Sequence, residues 1–307
     1  MADNEDKTTD KIEIESSHRM TVELIRKILN TGLIDVNIRA VGGSSLLTYA
    51  AISADDYDAI RELVNAGADV NLKNDTGMTA LMFAARCNKN PDITRALINA
   101  DAALDLSDIN GQTALMKAVE CNPNPEVTKI LLDAGCSVNA KDNEKITALM
   151  CAAGGGTLQI IQMLIDYGAD LKAKSQSDWN VLMFAASGTK YPEVIKMFVE
   201  KGFDVNSETL YGQTPLMIAA WSNKNHDILK TLVSLGAKIN TQDTLGRTAL
   251  IWAAESKKNA NAVKVLMSLG ADKQIEDEDG KRAIDYLTEN KKAAELKNFD
   301  ELKSLLQ

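Results

Sequence analysis

The chain has 307 residues and a net charge of −9. Hydrophobic residues make up 45% and charged residues 25%, so it can bury a core, and with aromatics at 5% that core must be built mainly from Leu, Ile, Val, Met and Ala. The acidic balance supplies no basic footprint for nucleic acid, and no apolar run reaches membrane-spanning length. The four cysteines include no CxxC pair and read as small buried or half-buried thiols, which fits a reducing compartment.

Residues 1–17 hold six acids, two lysines and few apolar groups, and are expected to form a disordered acidic tail. The alternating KIEIE within them is the one stretch with strand periodicity. No apolar signal core is present, so a cytoplasmic location is the expectation, with a leader removed before this numbering left open. Residues 18–39 read as one helix and an extended segment, half of the unit that comes next.

From residue 40 the chain repeats itself. Leu47, Leu81, Leu115, Leu149, Leu182, Leu216, Leu250 and Ile284 are separated by 34, 34, 34, 33, 34, 34 and 34 residues. Gly67, Asp101, Gly135, Gly168, Gly202, Gly236 and Gly270 step in the same register. Two markers at one period mean a stacked array in which each unit contacts its neighbours. Each unit reads as helix, turn, helix and extended finger. Thr79, Thr113, Thr147, Thr214 and Thr248 sit at N-cap positions, and Pro215 takes the first helical position after one of them. The first helix is short and small-faced (ALMFAA, ALMCAA). The second carries Ile or Val and then Leu at helical spacing and ends in a Gly suited to a left-handed C-terminal position. Asp101 stands in that Gly slot. Residues 280–307 are more charged and read as a helical cap.

Chemistry should break such a repeat, and little does. His226 falls in an inter-helix turn expected to be exposed, His18 at the start of the first helix, and neither has a metal-ligand companion nearby. Gly154, Gly155 and Gly156 form the one glycine run; it follows a helix and reads as a turn. Asp69, Asp170, Asp204 and Asp272 recur with the period and are assigned to turns. Cys87 and Cys121 occupy equivalent slots in successive units, too far apart for a bridge.

These features resemble the ankyrin repeat family, in the form with TALMxAA repeats common in bacterial members. The resemblance covers residues 40–279 as seven units. Two departures stand out: Met82, Met116, Met150, Met183, Met217 or Ile251 replaces the family's TPLH histidine, and the inter-helix turn is one residue longer. The family implies an all-α solenoid of helix-turn-helix units with β-hairpin fingers. It also implies a non-enzymatic adaptor or inhibitor that binds a protein partner, as a monomer and without cofactor or metal, through finger tips and the concave helix face. A ligand-binding or enzymatic role in the concave groove and a self-associating structural module are the alternatives.

Positions that vary inside a constant frame are the candidate contacts. The residue before the capping Thr is Met78, Gln112, Ile146, Trp179, Gln213, Arg247 or Lys281. The residue after the Ala pair is Ile52, Arg86, Glu120, Gly154, Ser187, Trp221 or Glu255. Met78, Arg86, Gln112, Trp179, Tyr211, Trp221 and Arg247 are therefore the candidate partner-binding residues. Trp179 and Trp221 are expected side by side, anchoring the partner. Cover of its own finger turn is the alternative for Tyr211. Trp252, in the slot of Phe83 and Phe184, is assigned to the core.

Overall fold

The computed structural model describes residues 20–32, 34–256 and 259–307. The acidic tail expected over residues 1–17, and His18, lie outside the described residues. Helix α1 (Val22–Asn30) leads into seven helix pairs. They are α2 (Leu46–Ser53) with α3 (Asp58–Asn65), α4 (Ala80–Cys87) with α5 (Pro91–Asn99), α6 (Ala114–Cys121) with α7 (Pro125–Asp133), and α8 (Ala148–Gly155) with α9 (Leu158–Asp166). Next come α10 (Val181–Gly188) with α11 (Pro192–Glu200), α12 (Pro215–Ser222) with α13 (Asp227–Ser234), and α14 (Ala249–Glu255) with α15 (Ala262–Ser268). Three short helices, α16 (Ala283–Glu289), α17 (Lys291–Ala294) and α18 (Phe299–Leu306), close the chain. The first members of the pairs stack as an inner column from α2 to α16; α1, the second members and α18 form an outer one.

The inner helices begin where the sequence puts a hydroxyl or amide oxygen. Thr79 Oγ1 accepts from the Met82 amide at 3.4 Å, and Ser45, Thr113, Thr147, Asn180, Thr214 and Thr248 repeat the bond. The methionines in place of the family's histidine are buried, and Met217 Sδ accepts from the Thr214 amide at 3.4 Å. Paired alanines such as Ala84–Ala85 and Ala253–Ala254 are fully buried and let neighbouring inner helices approach closely. At Gly188 the approach is closest: an added Cβ would lie 2.4 Å from the Gly154 carbonyl oxygen. Gly154 and Gly155 form the last turn of α8, and only Gly156 is a cap outside it, so the glycine run serves helix packing rather than a free turn.

Each inner helix ends on carbonyls that its own turn cannot pair. Asparagines of the next unit reach them. Asn122 Nδ2 donates to the carbonyls of Ala85 (2.9 Å) and Asn88 (2.8 Å), while its Oδ1 accepts from the Asn124 amide. Asn88, Asn223, Asn259 and Asn290 make the corresponding bonds. A second set ties the fingers: Asn139 donates to Gly168 O and accepts from the Asp170 amide, and Asn37 and Asn206 do likewise. Lys172 stands in this slot and makes no such tie; there Asn180 Nδ2 bonds Ser207 Oγ at 3.0 Å instead.

The expected hairpins reduce to closed turns, with one isolated antiparallel bridge, Ser107 to Thr113, among the described residues. Each finger is closed by one backbone bond, such as Asp108 N to Gln112 O at 3.0 Å; in six of them a side chain also accepts two backbone amides, as Asp108 does, while Ser175 accepts one, that of Trp179. Turns this tight leave no room for a second rung. The left-handed tip position is Gly in most fingers but Lys145 and Asp178 in two. Asp101 also lies left-handed, at φ 62°, as its slot requires.

Asp101→Gly should therefore be neutral or stabilising, within about 1 kcal/mol, measured as a shift in the urea unfolding midpoint. Asn122→Ala should cost on the order of 2 kcal/mol by the same measurement, because it strands two buried carbonyls.

Candidate functional site

The fingers and the inner helices meet at a fixed spacing. The residue nine positions after the finger's turn-closing residue lies on the inner-helix face that looks back at that turn. In three units this pair is an acid and a donor. Lys117 Nζ lies 2.8 Å from Asp108 Oδ2, Trp252 Nε1 donates to Asp243 Oδ2 at 3.0 Å, and Tyr286 Oη donates to Asp277 Oδ2 at 2.5 Å. Asn74 faces Phe83, Ser175 faces Phe184 and Thr209 faces Ile218, so a neutral turn residue accompanies an apolar partner. Asp142 with Cys151 is the exception. This co-variation was legible as residue types nine positions apart within each repeat that change together from repeat to repeat.

The carboxylates in these pairs are set by their donors. Burial pushes the Asp108 carboxyl up, but the Lys117 ammonium and the backbone amides of Gln112 and Asn110 outweigh it and hold the group below the usual carboxylate range. Burial likewise raises Asp277, and the Tyr286 hydroxyl with the amides of Lys281 and Asp279 brings it below that range. The thiols move the other way. Burial, then the charges of Glu120 and Asp142, push Cys151 up to about 12, and burial with Asp105 does the same to Cys136.

The largest aromatic group forms at the C-terminal end of this face. Asp243, its side chain buried, accepts from the Leu245 and Arg247 amides and from Arg247 Nε at 3.2 Å as well as from Trp252. The Arg247 guanidinium carbon lies 4.3 Å above the Trp252 ring centroid, and its Nη1 reaches Glu255 Oε2 at 3.4 Å. Trp221 meets the Trp252 ring edge-on, centroids 5.4 Å apart at 81°, and stays 39% exposed. Trp252 is thus half-buried at this surface, not core, because its indole N–H needs the finger carboxylate.

The remaining candidates separate. Trp179 packs edge-on against Phe184 at 5.5 Å and is half-buried, so the two candidate indoles each pair with another ring and not with one another. Met78 is buried, at 5% exposure, which removes it from any surface: its apolar chain turns into the core while its amide bonds Asn74 Oδ1. Gln112 is occupied by Lys117, to which its Oε1 is bonded. Arg86 is exposed at the end of α4. Tyr211 is exposed at the tip of its finger rather than covering the turn. His226, expected in solvent, is half-buried and bonded to Asn259 Oδ1 at 2.9 Å.

The family model described as "Ankyrin repeats (3 copies)" matches residues 47–142, 122–209, 149–243, 182–277 and 216–296. The chain belongs to the ankyrin repeat family. No curated protein matches it. Ankyrin repeats generally mediate protein–protein interactions. Among the described residues of this ankyrin array, no group of three or more His, Cys, Asp or Glu side chains is placed to hold a metal ion, and no helix is long and apolar enough to cross a membrane.

Asp108 has a lowered folded pKa, so its stabilisation is complete above the unfolded value near 4 and is lost as the pH falls through the folded one. Lys117→Met leaves that carboxylate buried without its cation and should cost on the order of 3 kcal/mol at pH 7. Urea unfolding at pH 7 and again at pH 3 should show the difference between variant and parent shrinking on acidification.

Proposed function

We propose that this chain is a non-enzymatic adaptor or inhibitor, a rigid ankyrin array whose inner-helix face holds a segment of another protein. The observation that carries this reading is Trp221. Its indole is braced by Trp252, which is itself held by a buried carboxylate and covered by a stacked guanidinium, yet Trp221 keeps an open edge toward solvent. A large aromatic fixed in one orientation and left partly uncovered loses little side-chain entropy on binding and offers a large apolar area, the combination that marks interface anchors. Trp179 offers a second, smaller face beside Phe184. The protonated thiols of buried Cys136 and half-buried Cys151 and the turn-closing role of the recurrent aspartates also favour a binding module over a catalyst.

The test is affinity capture with the full chain, identification of the retained protein by mass spectrometry, and titration of that protein against Trp221→Ala. The variant should bind at least about 2 kcal/mol more weakly while its melting temperature stays within a degree or two of the parent. Trp252→Ala should lower both, since Trp252 supports the fold and Trp221 together. Retained binding with lost stability in Trp221→Ala sinks the reading.

A further inference from the structure

The fingertips form a ladder. The amide at the tip of each finger donates to a carbonyl at the tip before it: Asp75 to Gly42, Ile109 to Thr76, Asn143 to Asn110, Gln176 to Glu144, Thr244 to Tyr211 and Glu278 to Leu245, at 2.8–3.1 Å. One rung is missing. The amide of Leu210 has no acceptor in the chain among the described residues. The ladder also fixes which tip side chains are neighbours. Leu210 and Tyr211 stand next to Thr244 and Leu245, which stand next to Glu278 and Asp279.

Exposed apolar side chains are unevenly spread along this row: the third fingertip carries one, Ile109 at 65% exposure, and the sixth and seventh together carry three. The second, fourth and fifth fingertips are polar: Asp75–Thr76, Asn143–Glu144 and Gln176–Ser177. The next two put Leu210, Tyr211 and Leu245 into solvent at 73%, 63% and 51% exposure. Acids surround them. Glu208, Glu276, Glu278 and Asp279 are all exposed, and none forms an ion pair among the described residues. Two cations of the same fingers are already committed, Arg247 to Asp243 and Glu255 and Lys281 to Glu289.

We infer that fingertips 208–211, 242–245 and 276–279 form a docking edge for an extended protein segment that interleaves cationic and apolar side chains. The inference rests on the protein-binding reading above and names the chemistry of the partner. An extended backbone presents side chains alternately, so one set of residues lies on Leu210, Tyr211 and Leu245 while the other reaches the surrounding carboxylates. Its carbonyl supplies the acceptor that Leu210 lacks. The unpaired acids repel nucleic acid and anionic membrane surfaces and attract a basic chain over a Debye length of about 10 Å. Three exposed apolar side chains in one row are a liability that such cover removes.

The probe is a fluorescently labelled ten-residue peptide of alternating lysine and leucine, titrated by anisotropy against the full chain. A peptide of alternating glutamate and leucine is the control. The combined Leu210→Ser, Tyr211→Ser, Leu245→Ser variant should bind the lysine peptide at least about tenfold more weakly. The combined Glu208→Gln, Glu276→Gln, Glu278→Gln variant should bind more weakly and with a flatter dependence on salt. Leu158→Ser, on the outer surface of α9 and away from the fingertips, should bind as the parent does. These side chains are exposed, and unchanged melting curves confirm that the variants remain folded. Absence of lysine-peptide binding, equal binding of the glutamate peptide, or a serine variant that binds like the parent overturns the inference. Binding abolished by Trp221→Ala alone assigns the segment to the inner-helix face, which overturns the docking edge and leaves the function proposed above standing. A docking edge that behaves as expected beside a Trp221→Ala variant with unaltered partner binding does the opposite.

Discussion

A pair of helices seven to nine residues long can close neither its own core nor its own carbonyls, and the other features of this protein follow from how the next pair does both. Ala84 and Ala85 are fully buried only because a neighbouring inner helix lies on them. The carbonyls of Ala85 and Asn88 are paired only because Asn122 reaches across the interface. An asparagine can do this with one side chain because its amide N donates to the previous unit while its O closes its own turn. The device is a hydrogen-bond splice between units as well as a cap within one.

Where the splice is absent, something else takes its place. Gly156 and Thr189 occupy the asparagine slot after α8 and α10. There the backbones come close enough that Gly188 tolerates no side chain against the Gly154 carbonyl. Lys172 interrupts the finger splice, and Asn180 spends its spare amide on Ser207. The interface between the fifth and sixth units is thereby held differently from the rest, and it is the one where the fingertip ladder lacks a rung.

The proposed recognition surface grows from the same turns. Asp243 closes a finger through two backbone amides, and with its second oxygen it holds Trp252 and Arg247. Trp252 then braces Trp221. Turn closure, buried charge pairing and the exposed indole form one connected set. On the function proposed here, stability and binding are coupled at Trp252 and separable at Trp221. Choosing Asp rather than Asn or Ser at the turn determines whether the inner helix can carry a donor nine residues on, as Lys117, Trp252 and Tyr286 do.

The sequence alone determined what depends on contacts within one unit. The 34-residue step, the capping threonines, the left-handed slot at Asp101 and the turn roles of Asp69, Asp170, Asp204 and Asp272 each involve partners a few residues apart, so period and residue type suffice to read them. Tertiary structure decided what depends on how a helix face meets its own finger turn and on the neighbouring unit. Met78 and Arg247 share a slot, yet one is buried and the other stacks on a tryptophan, because each answers to the residue that the fold sets against it. Trp252 looked like Phe83 until the Asp243 carboxylate lay within reach of its N–H. Leu210 and Leu245 were invisible to a comparison made one slot away from the tips. Trp221 and Trp252 stand 31 positions apart along the chain, and Tyr211 and Thr244 stand 33 apart; no local pattern couples them, and only stacking brings them together.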